Sequence, residues 1–176
     1  MINIVAIVGR PNVGKSTLFN RLTESRQAIT DEVSGVTRDR HYGKSEWSGK
    51  EFSVIDTGGY VDGSNDIFEK EIRKQVELAI DESNVILFLV DAKEGITDLD
   101  QAVVSMLRKS NKKVVLAVNK VDNSKLLEDA VEFHNLGIGN YIPFSSISGS
   151  GTGELLDELI KYFEIDDKQE DTDLPK

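Results

Sequence analysis

Apolar runs that suit buried strands alternate along this chain with segments that repeat their apolar residues at helical spacing. Residues 2–8, 85–90 and 114–118 are almost wholly apolar. Such runs suit strands covered on both faces of a sheet, where neither side meets water. Residues 42–47 and 51–55 flank Ser48-Gly49-Lys50 and read as a hairpin, and 141–144 as a short last strand. Helical spacing appears over 16–23 (Leu18, Phe19, Leu22) and over 69–80 (Ile72, Val76, Ala79, Ile80). Asp98 is a candidate N-cap for a helix bearing Ala102, Val103, Met106 and Leu107. Residues 124–136 read as a helix stopping near Gly137, and 153–163 as a last one carrying Leu155, Leu156, Leu159 and Ile160. Residues 25–40 are polar, contain Gly35 and show neither period, so they read as a long exposed loop. The order predicts an α/β three-layer sandwich: a mostly parallel six-stranded sheet with one antiparallel edge strand from the hairpin.

Ligands in such sheets sit at the carboxyl ends of the strands, and the polar motifs of this chain begin there. Gly9, Arg10, Pro11, Asn12, Val13, Gly14, Lys15 and Ser16, followed by Thr17, fit Gly-x-x-x-x-Gly-Lys-Ser/Thr between a strand and a helix. That loop suits a polyphosphate: its N–H groups and the helix's positive end face the anion, Lys15 adds a point charge, and the Ser16 hydroxyl is a magnesium ligand. The fold expected is therefore that of a P-loop nucleotide hydrolase. Asp56, Thr57, Gly58 and Gly59 end the second hairpin strand. Asp56 is placed to hold magnesium through water, and Gly59 to present its N–H to a terminal phosphate. A hydroxyl from the polar loop is expected to complete the metal shell; Thr30, Ser34 and Thr37 are rivals on sequence alone.

Asn119, Lys120, Val121 and Asp122 follow the strand at 114–118. A carboxylate accepts both N1–H and the exocyclic amine of guanine, whereas adenine has no donor at N1, so Asp122 is the candidate discriminator. Asn119 is expected to donate toward N7 and brace the neighbouring loops, with the Lys120 stem over the ring. Ser145, Ser146 and Ile147 end the last strand; Ser146 is assigned the N–H facing the guanine O6, and Ser145 a bracing hydroxyl. The ligand that needs all of these motifs is GTP. An ATP-using P-loop enzyme accounts for the phosphate half but leaves Asp122 unexplained.

At 176 residues and 39% hydrophobic the chain is expected to build one full core. The absence of cysteine excludes disulfides and thiolate metal sites. His41 and His134 have no histidine or cysteine companions, which argues against zinc. A net charge of -10 argues against broad nucleic-acid binding. Part of that charge lies in residues 164–176, which read as an acidic linker or disordered tail after a domain at 1–163. No apolar stretch approaches the ~18 residues of a membrane span, and no basic leader precedes the first strand, so the cytoplasm is the expected compartment.

The segments GRPNVGKSTLFNRL at 9–22, DEVSGVTRDRHYG at 31–43, FSVIDTGG at 52–59 and NKVD at 119–122 resemble the Era-like GTPases. More narrowly, they resemble the first GTPase domain of the bacterial Der (EngA) family. The resemblance implies GTP hydrolysis to GDP and phosphate with Mg²⁺, slow because Tyr60 beside Gly59 is poorly shaped to hold the attacking water, and a switch that assists large ribosomal subunit assembly. It also implies a second GTPase domain and an RNA-binding-like domain in the full protein, with rRNA or the large subunit as partner. The isolated domain is expected to be monomeric. Thr37 becomes the switch threonine, and Asn12 a potassium ligand or a loop brace. Tyr60 stands where Ras-like enzymes place glutamine, which keeps a nucleotide-gated module without appreciable hydrolysis as the alternative. Ser145-Ser146 replaces the family's usual Ser-Ala. Other Era-like GTPases and the tRNA-modifying GTPase remain the neighbouring readings.

Overall fold

The computed structural model describes residues 3–32, 42–59 and 68–173, with the backbone alone over 24–32, 59, 68–69 and 164–173. The strands are β1 (Ile4–Gly9), β2 (Tyr42–Trp47), β3 (Lys50–Asp56), β4 (Val85–Asp91), β5 (Lys113–Asn119) and β6 (Tyr141–Pro143). The helices are α1 (Lys15–Glu32), α2 (Phe68–Glu82), α3 (Asp98–Ser110), α4 (Ser124–Asp129) and α5 (Thr152–Asp173). Short 3-10 segments occupy Thr57–Gly59 and Ala130–Leu136.

The strands form one six-stranded sheet in the order β2-β3-β1-β4-β5-β6. All neighbours are parallel except β2 and β3, so the antiparallel strand lies at an edge, as the hairpin predicts. Ser48 and Gly49 turn that hairpin with φ of 53° and 80°. Positive φ at both central positions is the type I′ signature, whose twist matches that of the paired strands.

Alternation along each strand feeds two cores. Val5 and Ile7 of β1, with Leu87 and Leu89 of β4, pack with Leu18 of α1 and Leu155, Leu159 and Phe163 of α5. Ala6, Val8, Ile86 and Phe88 face the other way, onto Ile72 and Val76 of α2, Val103 and Leu107 of α3, and Phe133. Because β1 and β4 are covered on both faces, their sequences are apolar until the carboxyl end of β4, where Asp91 stands. Met106 joins the second core, and Trp47 and Tyr42 pack at the rims of the two cores.

Most boundaries lie within one or two residues of those the sequence predicts, and four helix boundaries differ in ways that carry a physical reason. Helix α1 continues through Glu32, over the first part of the stretch expected to be loop. Residues 24–32 contain no glycine or proline to stop it and no apolar stripe to announce it. Thr97, not Asp98, caps α3: its side chain accepts from the Asp100 N–H while Asp100 reaches back to the Thr97 N–H at 3.0 Å. Asp98 is the first helical residue. The helix expected over 124–136 is α-helical only to Asp129 and then 3-10, ending at Gly137 with φ of 71°. Helix α5 continues past Phe163, the end expected from the sequence, through Asp173.

The carboxyl ends of β1, β3, β4, β5 and β6 lie along one edge of the sheet. Between β1 and its neighbours the chain order reverses, the position at which sheets of this kind open a crevice.

Candidate functional site

The loop after β1 winds tightly because two of its residues adopt left-handed backbone, Asn12 at φ 69° and Gly14 at φ 105°. Gly14 is doubly constrained: a Cβ there would strike the Asn119 amide nitrogen. Gly9 packs its backbone against Leu89 and Val13. Val13 is fully buried in the first core. The Leu18 N–H then bonds the Gly14 carbonyl at 3.0 Å and α1 begins. That leaves the first-turn amides of α1 open to a ligand.

Lys15 sits over this loop, donating from Nζ to the carbonyls of Gly9 (2.8 Å) and Arg10 (2.9 Å). Burial pushes its pKa down to about 8; Asp56 opposes that shift and Arg10 adds to it. Gly58 makes room for the lysine stem, since a Cβ there would lie 2.7 Å from Cε. Asp56, buried at the end of β3, accepts from the Ser16 hydroxyl at 3.3 Å and from the Gly58 N–H at 3.2 Å. A hydroxyl beside a buried carboxylate is a hard-oxygen donor set, and it fits magnesium. The Thr57 hydroxyl donates to the Ile7 carbonyl at 2.7 Å, tying this segment to β1, and Gly59 closes the 3-10 turn.

Arg10 belongs to this loop through its backbone. Its side chain turns to α3, with Nε 3.0 Å from Asp100 and Nη1 2.6 Å from Glu94. Burial acts to lower its pKa, but Asp100 and Glu94 outweigh that and hold it above the ordinary value. Its backbone carbonyl accepts from Lys15 in the phosphate loop.

At the other end, Asn119 is 1% exposed and joins three segments. Its amide nitrogen donates to the Val13 carbonyl (2.7 Å) and the Ser146 hydroxyl (3.0 Å). Its oxygen accepts from the Ser146 N–H (2.9 Å) and the Lys120 N–H (2.7 Å). Lys120, at φ 69°, spans from Asp91 (2.8 Å) to the Asn12 carbonyl (2.8 Å). Asp122 accepts from the Ser145 hydroxyl at 2.9 Å and pairs with Lys93 at 3.4 Å. The Ser146 N–H, assigned to a base oxygen from sequence, is engaged with Asn119 in this arrangement. The Ile147 N–H next to it has no protein acceptor among the described residues.

A cavity of about 600 Å³ runs between the two ends, from Asn12, Lys15 and Ser16 to Asn119, Asp122 and Ser146. That is the size of a small-ligand site. Thr17, Lys120, Ser145 and Ile147 also line it. So does Lys93, which belongs to no motif and carries no signal in the sequence. Thr37 and Tyr60, with the rival Ser34, lie outside the described residues; the other rival, Thr30, lies in α1.

The sequence model of the family described as "50S ribosome-binding GTPase" matches residues 4–120. This chain belongs to that GTPase family. It is 74% identical over 165 residues to "GTPase Der" of Flavobacterium psychrophilum, a match covering 94% of this chain and 38% of that protein. The chain thus spans about two fifths of the length of the curated relatives it matches. Among solved structures, a point variant of Aquifex aeolicus Era bound to GDP and AlF₄⁻ is 28% identical, with a TM-score of 0.68 over 92% of this chain and 56% of that one. Era bound to MgGDPNP and a segment of 16S ribosomal RNA is 30% identical, with the same TM-score and coverage. No helix among the described residues of this family member is long and apolar enough to cross a membrane.

Proposed function

We propose that this chain binds GTP in the cavity and hydrolyses it to GDP and phosphate as the switch domain of a ribosome-assembly factor. One observation carries the reading: buried Asn119 bonds both the phosphate loop at Val13 and the last-strand loop at Ser146, so one side chain sets the spacing of the two ends. Few ligands need a lysine-capped amide loop and a braced carboxylate at opposite ends of one cavity.

In this reading Lys15 leaves the Gly9 and Arg10 carbonyls for the β- and γ-phosphates, and the amides from Asn12 to Thr17 wrap the tail. Asp122, fixed by Ser145, accepts the guanine N1–H and amine; Asn119 braces, and the Lys120 stem covers the ring. Ser16, Thr37 and Asp56 would hold magnesium, which would supply positive charge to the phosphate oxygens. Gly59 offers its N–H to the γ-phosphate. Water attacks in line, and the developing charge is met by Lys15 and the loop amides. Asn12, exposed in left-handed backbone at the cavity edge, is the candidate potassium ligand. Similarity to Der supports reading the chain as the first of two GTPase domains, in the cytoplasm, with the large ribosomal subunit or its RNA as partner.

The test is phosphate release from GTP and from ATP with magnesium, in potassium and then in sodium. The reading predicts slow turnover of GTP alone, faster in potassium. Equal use of ATP overturns guanine recognition, and turnover at the buffer rate selects a binding module instead. Equal rates in the two salts remove the role given to Asn12.

A further inference from the structure

We infer that Arg21, on α1, is a positioning residue for base recognition; this rests on the guanine-binding reading of the cavity. Its guanidinium donates from Nε to the Ser146 carbonyl at 2.8 Å and from Nη2 to the Ile147 carbonyl at 2.8 Å. Those are successive peptide units of the loop that ends the base side of the cavity, and bonds from a charged donor are the stronger kind. The loop is shaped to receive the group. Gly149, at φ 89°, leaves the space, since a Cβ there would lie 2.8 Å from Nη1.

Peptide planarity turns each of these bonds into control of an N–H. In a trans peptide the carbonyl and the following N–H point in opposite directions. Holding the Ser146 carbonyl on α1 therefore aims the Ile147 N–H away from α1, and Ile147 lines the cavity. That N–H is free among the described residues, whereas the Ser146 N–H is bonded to Asn119. It is the donor available to a purine O6.

Holding the Ile147 carbonyl likewise sets the Ser148 N–H, which bonds the Ser145 hydroxyl at 3.3 Å. That hydroxyl in turn donates to Asp122 at 2.9 Å. One guanidinium thus fixes both the donor for O6 and the acceptor for N1–H, from the same helix whose first turn faces the phosphates. Arg21 itself touches no nucleotide in this account. It acts through the loop.

The experiment is the dissociation rate of GDP and of 6-thio-GDP from wild type, Arg21→Ala and Arg21→Lys, with thermal melting alongside. The sulfur at position 6 accepts hydrogen bonds poorly, so it reports on the O6 donor. Arg21→Ala is expected to release GDP about tenfold faster, as loss of two charge-assisted bonds implies. Arg21→Lys, able to hold one carbonyl, should fall between. The preference for GDP over 6-thio-GDP should shrink in Arg21→Ala, which general loosening of the fold would not cause. A GDP rate within twofold of wild type overturns the inference, as does an equal acceleration of both ligands. Should Arg21→Ala fail to fold, the same two criteria apply to Arg21→Lys. A wild-type protein that binds ADP as well as GDP removes the underlying site reading, a result distinct from either.

Discussion

Replacing Asn119 by alanine should destabilise the protein before any nucleotide is added. The side chain is 1% exposed and holds the Val13 carbonyl at 2.7 Å and the Ser146 N–H at 2.9 Å. Alanine leaves both groups buried without partners. Each orphan costs ~1–3 kcal/mol, whereas the Ser146 hydroxyl and the less buried Lys120 N–H are free to find others. The sum is about 3 kcal/mol, a large part of the ~5–15 kcal/mol typical of a domain. With a urea slope near ~2 kcal/mol per molar, the unfolding midpoint should fall by about 1.5 M. Asn119→Asp should be no better, because it removes both donors and sets a carboxylate oxygen against the Val13 carbonyl. The assay is equilibrium urea unfolding of the nucleotide-free protein. A loss of under ~0.5 kcal/mol for Asn119→Ala, the range of an ordinary surface change, would refute the bracing role.

Further outcomes follow from buried charge at Lys15 and Asp100. Lys15 has a pKa of about 8 in the free protein, lowered from 10.5 by burial, and a bound phosphate tail would restore its charge. Nucleotide affinity should be full below pH 8 and weaken as pH rises through it, by up to ~tenfold per unit; titration calorimetry between pH 7 and 8.5 checks this against Lys15→Ala, which should lack that dependence. Stability of the free protein runs the other way, since between 8 and 10.5 the unfolded chain holds a proton that the folded one has released. Asp100→Ala strands the Arg10 guanidinium on Glu94 alone and removes half of the α3 capping box, so thermal unfolding should report a loss of about 3 kcal/mol. Asp100→Asn, which keeps the cap acceptor, should lose less.

The sheet was legible because three of its inner strands, β1, β4 and β5, are built on apolar runs and its hairpin carries Ser48-Gly49, signals that depend on neighbours in sequence. The motif residues were legible for a similar reason: Gly14, Lys15, Asp122 and their companions are contiguous, and each motif follows a strand. What escaped reading depends on distant partners. Nothing near Arg10 foretells Asp100, nor does anything near Arg21 foretell the loop of Ser146 and Ile147, since in both cases the pairing exists only once the sheet has brought the elements together. The polar end of α1 escaped because a helix without an apolar stripe resembles loop in composition. Thr97 and Asp98 are adjacent and both cap-competent, and the choice rests on where the backbone turns.

The central claim is that Asp122 reads guanine while the loop at Lys15 holds the phosphates of the same molecule. Its most direct measurement is the competition of GTP and xanthosine triphosphate for wild type and Asp122→Asn. The amide introduced by that substitution would donate to the xanthine carbonyl where the carboxylate accepted from the guanine amine, so the variant should lose GTP and gain the xanthine nucleotide. An unchanged preference for GTP in the folded variant would contradict the account.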